Sequence, residues 1–75
     1  MLTQTETNVL EALKRVHAAG KLAGSIYSSQ LDEEFYDRMY ERPVSVKPVK
    51  PMCPHAKGIA RLTWIQGYEE AFGRY

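Results

Sequence analysis

The sequence predicts an all-α protein: two long packed helices, a short third helix between them and an extended proline-rich linker. Three observations predict this class. Apolar residues recur at three- and four-residue steps within 9–17, 31–40 and 60–72, the spacing of one helical face. Helix-start signals precede the first two stretches, and Pro54, which suits a first helical turn, precedes the third. Between the second and third lies PVSVKPVKP, residues 43–51, whose prolines no helix interior tolerates.

Thr3-x-x-Glu6 has the form of a capping box, in which hydroxyl and carboxylate satisfy amides at a helix start. Val9, Leu10, Leu13, Val16 and His17 then form one stripe. Gly20 and Gly24 can each end a helix, so the first helix is expected over 4–20, fraying toward 24. The alternative is a helix that runs on, with both glycines forming a small-residue groove for a bulky ring such as Trp64.

Ser29-x-x-Asp32 is a second, weaker capping signal, and Leu31, Phe35, Tyr36, Met39 and Tyr40 follow as a stripe of about three turns. Asp32, Glu33 and Glu34 suit the positive end of a helix dipole, Arg42 the negative end, and Pro43 marks the stop. Residues 43–51 should run stiff and close to polyproline II. The last helix is expected from Cys53-Pro54 to Ala71, with Ala60, Trp64, Tyr68, Ala71 and Phe72 on one face and Gly73 as its end. Gly67 in its interior costs about 1 kcal/mol relative to alanine, so close backbone approach is expected there.

Seventy-five residues make one domain with a thin core. Cys53 is the only cysteine, which excludes an internal disulfide and fits a reducing, cytoplasmic compartment. No run reaches the roughly 18 apolar residues of a membrane span, and MLTQTETN lacks the pattern of a secretion signal, so no membrane partner is expected. The net charge of +1 is unevenly placed. From Arg42 through Tyr68 there is no acid, while Asp32, Glu33, Glu34, Asp37 and Glu41 gather in the middle of the chain.

The pattern Cys53-Pro54, six residues, Arg61-x-x-Trp64-x-x-Gly67-x-x-Glu70-Ala71 resembles the C-terminal helix of the ribosome modulation factor family and the related CrpP-like small proteins. Arg15-x-His17-x-x-Gly20-x-x-Ala23-Gly24 is similar to that family's first-helix ending. Both blocks match without gaps and cover about half of the chain. Relative to the family, residues 25–52 stand as an insertion that carries the acidic stretch. The resemblance implies a single helical domain over 1–75 that binds the ribosome through ribosomal RNA and modulates translation, while the CrpP-like relatives are linked to drug phosphorylation.

RNA binding needs clustered cations. Lys14, Arg15, Lys21, Lys57 and Arg61 are the candidates, joined by Lys47 and Lys50, if the two long helices pack as a pair. Trp64 reads as a core ring set against Gly20 and Gly24 rather than a base-stacking platform. Cys53-x-His55 with His17 lacks the second ligand pair of a zinc site, so no metal and no cofactor are expected. Lys57-Gly58 is the nearest feature to a phosphate loop, but the G-x-x-x-x-G-K-[ST] pattern is absent, and no catalysis is expected.

The acidic stretch has two readings. It is a third core helix with Leu31, Phe35 and Met39 facing inward. Alternatively it is a docking surface for a basic protein partner, with Phe35, Tyr36, Met39 and Tyr40 as contacts.

Overall fold

The computed structural model describes residues 3–44 and 47–75. It holds two helices, α1 (Gln4–Met39) and α2 (Gly58–Ala71), and no strand among the described residues. At 1.5 Å per residue α1 is about 54 Å long, so it sets the long dimension of the 58 × 22 × 18 Å molecule.

Thr3 caps α1 as the sequence predicts. Its hydroxyl accepts the Glu6 N–H at 3.2 Å and donates to the Glu6 carboxylate at 3.2 Å. The helix does not end at Gly20 or Gly24. It passes through both, and the separate third helix is absent: residues 29–39 are simply the last turns of α1. The glycines are retained in the helix interior because α2 lies against them. A β-carbon on Gly20 would fall 2.0 Å from the Trp64 carbonyl oxygen, and one on Gly24 would fall 2.8 Å from that of Tyr68. The contact gains more than the glycines' poor helix propensity loses, so Ser29 and Asp32 never act as a cap.

α1 stops before Pro43, by a backbone device. Tyr40 is the last half-helical residue and Glu41 turns left-handed with φ 56°. The Glu41 N–H donates to the Arg38 carbonyl at 3.3 Å and the Arg42 N–H to that of Asp37 at 2.8 Å. This is the Schellman pairing, here with glutamate where glycine is usual. The Arg42 guanidinium also stands 3.4 Å from the Asp37 carboxylate, which the turn buries.

α2 begins at Gly58, four residues after the expected Pro54 start. The intervening backbone is committed elsewhere. The Cys53 N–H donates to the Tyr75 hydroxyl at 3.1 Å, and Arg61 reaches the His55 carbonyl at 3.5 Å. Gly58 enters the helix with φ 84°, and Gly73 follows its end with φ 126°, as a glycine stop should.

The interface is built from backbone rather than from large side chains. Besides the Gly20 and Gly24 contacts, a β-carbon on Gly67 would lie 2.1 Å from the His17 carbonyl oxygen. Gly67 therefore has the close approach its sequence context predicts. Gly20 meets Trp64, Gly24 meets Tyr68, and the Tyr27 ring lies 5.0 Å from Phe72. The groove reading of the two glycines is right, with one correction: Gly20 receives the Trp64 backbone and Gly24 that of Tyr68, not the Trp64 ring. The indole instead stacks on Tyr68 at 5.8 Å and meets Tyr75 edge-on at 5.8 Å.

Trp64, at 3 % exposure, and Tyr68, at 0 %, are the buried hydrophobic core among the described residues. Between the helices, the described residues of 40–57 carry neither helix nor strand. Val49 and Pro51 share a shallow surface with Ala23, Ile26, Tyr27 and Gln30 of α1, so the chain returns along that flank. Ser45 and Val46, within the segment expected to be polyproline-like, lie outside the described residues.

Candidate functional site

α2 covers the middle of α1, around 17–27, and leaves the final turns of α1 as an arm. Along this arm Phe35, Tyr36, Met39 and Tyr40 are 60, 51, 61 and 66 % exposed. The third-core-helix reading is thus wrong for Phe35 and Met39; Leu31 alone of that trio is half-buried. The reason is length: a 14-residue α2 cannot cover a 36-residue α1. The four side chains form two i, i+4 pairs side by side on the helix. Phe35 meets Tyr36 edge-on at 5.8 Å, Tyr36 stacks on Tyr40 at 6.5 Å, and the Arg42 guanidinium lies 5.5 Å over the Tyr40 ring.

Charge frames these rings. Residues 31–42 hold five acids against Arg38 and Arg42, a net −3, so the rest of the chain carries +4 of the total +1. Glu34 pairs with Arg38 at 3.4 Å and Asp37 with Arg42, whereas Asp32 and Glu33 stand exposed. The arm is therefore acidic, aromatic and held as a regular helix by its cap.

The predicted RNA-contact residues are placed less coherently. Lys14, Arg15, Lys21 and Lys57 are exposed, but Arg61 is half-buried and directed to the His55 carbonyl. The His17 imidazole pairs with the Glu70 carboxylate at 2.7 Å. Lys14 and Lys21 lie three residues before and four after His17, so they share the flank on which Glu70 stands. Arg61 and Glu70 are nine residues apart, which at about 100° per residue sets them on opposite sides of α2. Lys14 and Lys21 come together; Arg61 does not join them, and Arg15 is turned about 100° from Lys14.

One aromatic group escaped the sequence reading. Tyr75 closes the core: its ring meets Tyr68 edge-on at 5.1 Å, and the Lys50 ammonium sits 4.7 Å from its centroid and bonds its main-chain carbonyl. Tyr75 lies beyond the Gly73 stop, so helical spacing gave no signal for it. Tyr68 itself is fully buried, and its hydroxyl has no hydrogen-bond partner among the described residues. Burial, with smaller effects from Tyr27 and Tyr75, pushes its pKa above the ordinary tyrosine value.

No group of three or more His, Cys, Asp or Glu gathers as metal ligands among the described residues, and no described helix is long and apolar enough to cross a membrane. Compared with protein-family models, curated proteins and solved structures, the chain matches none.

Proposed function

We propose that this chain is a non-catalytic binding regulator that docks through the aromatic, acidic arm of α1 onto a basic protein surface. One observation carries the reading: Phe35, Tyr36, Met39 and Tyr40 stand together, each more than half exposed, on a helix that α2 does not reach. Exposed apolar side chains gathered in this way mark interaction sites, and Tyr, Phe and Met are the residues enriched at interface centres. The surrounding acids supply steering and select a cationic partner. Capture from native lysate with a tagged chain, with and without ribonuclease, tests it. A partner that survives ribonuclease and is lost with Phe35→Ser/Met39→Ser, and with Asp32→Lys/Glu33→Lys, supports the arm. A partner indifferent to both variants removes it.

A second reading follows from the resemblance to ribosome modulation factor: occupancy of ribosomal RNA through Lys14, Arg15, Lys21 and Lys57. The exposure of all four cations favours it. It ranks second because Arg61 is engaged with the His55 carbonyl and Glu70 stands beside Lys14 and Lys21. Moreover Gly20, Gly24, Trp64 and Gly67, residues that carry the resemblance, all sit in the helix contact. They speak for a shared way of packing, not for a shared ligand. RNA affinity that falls steeply with salt and drops with Lys14→Glu/Lys21→Glu supports this reading; affinity flat in salt ends it.

A further inference from the structure

The side of α2 turned away from α1 has chemistry of its own. Ile59 and Leu62 are 65 and 68 % exposed there, and Ile65 is half-buried. Leu62, Ile65, Gln66 and Glu69, with Glu70 at the edge where it pairs with His17 of α1, line a shallow groove on this face. An apolar centre that α1 does not cover is thus bordered by acids toward the C-terminal end of the helix.

The opposite end of the same strip is electropositive and lacks a cap. Lys57, the N-cap residue, makes no side-chain bond to the helix, and no acid occupies the first turn. The first turn of α2 therefore supplies its amides with no carboxylate of its own, although helix N-termini favour one. Gly58 and Glu69 are eleven residues apart, close to three full turns, so they lie at the two ends of one stripe. Leu62 and Ile65 lie between them at equal distances from the midpoint. Lys57 and Glu70 are placed symmetrically about that same midpoint.

Such a stripe is complementary to itself when reversed. We infer that a second copy of this chain is the occupant, packing α2 antiparallel on α2 about a two-fold axis between Thr63 and Trp64. In that register Leu62 of each protomer lies on Ile65 of the partner. Glu69 reaches the partner's uncapped N-terminus at Gly58, and Lys57 falls beside the partner's Glu69 and Glu70. Each contact occurs twice, as an isologous interface requires. The dimer leaves both acidic arms free on its outer sides, so it is independent of the docking reading above and is tested on different residues.

Sedimentation equilibrium of the full chain, from low-micromolar to sub-millimolar concentration, is the test. The expected result is reversible association to twice the 8.6 kDa chain mass. Leu62→Glu, at a solvent-facing position that leaves the helical circular dichroism intact, raises the dimer dissociation constant by about 100-fold, since two apolar contacts are lost per dimer. Lys57→Glu weakens the dimer by about tenfold, and Glu69→Lys, which sets a cation at the partner's helix start, weakens it by at least as much. A chain that stays monomeric throughout overturns the inference. So does a dimer unmoved by Leu62→Glu, or one that dissociates with Phe35→Ser instead.

Discussion

Gly20→Ala puts the packing account at risk in a single substitution. In a solvent-facing helix this change is stabilising by about 1 kcal/mol. Here the new β-carbon falls 2.0 Å from the Trp64 carbonyl oxygen and 2.8 Å from its carbon, where ordinary contact begins at 3.4 Å. The obstacle is backbone, which cannot rotate aside as a side chain can, so α2 has to withdraw by more than about 1 Å. Overpacking of this kind costs about 1–3 kcal/mol, and withdrawal also loosens the Trp64–Tyr68–Tyr75 cluster that α2 carries. We expect a net loss of about 2 kcal/mol. For 75 residues the whole stability is on the order of 4–11 kcal/mol, so the midpoint of thermal unfolding should fall by about 10 °C. Urea and thermal unfolding followed by helical circular dichroism and Trp64 fluorescence measure this directly. Gly67→Ala should behave alike, because its β-carbon meets the His17 carbonyl oxygen at 2.1 Å, and the double variant should lose less than the sum because both part the same interface. A Gly20→Ala chain more stable than the parent refutes the reasoning.

Three further outcomes are expected. Tyr68→Phe removes a buried hydroxyl that has no partner among the described residues and should stabilise by about 1 kcal/mol; a comparable loss would mean the hydroxyl is bonded. Because the folded-state pKa of Tyr68 is raised, the folded form holds its proton where the unfolded form releases it. Stability is therefore full below pH about 10 and declines above it, and Tyr68→Phe should flatten that alkaline decline in unfolding titrations. Glu41→Gly, at φ 56°, relieves a left-handed glutamate and should raise stability by up to about 1 kcal/mol in urea unfolding, whereas Glu41→Val should lower it.

The helical class, the Thr3 cap, the Gly73 stop and the need for close approach at Gly67 were all legible, because each depends on residues within a turn or two of one another. What could not be read locally was the continuity of α1. Gly20 and Gly24 look like stops until the partner helix is known, and only the contact with Trp64 and Tyr68 explains their place in mid-helix. The same blindness made Ser29-x-x-Asp32 look like a start. It also set α2 too early, since Pro54 is held ahead of the helix by the Cys53 bond to Tyr75 across the fold and the local Arg61 bond to His55. At the candidate site, the aromatic and acidic residues of the arm were visible in order, but their exposure was not. Exposure depends on how far α2 reaches along α1, which is a matter of relative length and register rather than of composition. The cations were visible too, while the pairing of His17 with Glu70 and the turning of Arg61 to His55 are products of the fold.

Everything proposed for the arm depends on α1 being one helix clamped only at its middle. Amide hydrogen exchange resolved by residue reads that condition most directly. The amides of 20–27 and 64–71 should exchange only through global unfolding, and those of 31–39 should be helical yet exchange markedly faster through local fraying. Equal protection along the whole of α1, or a protection break at Gly20 or Gly24, would contradict the account.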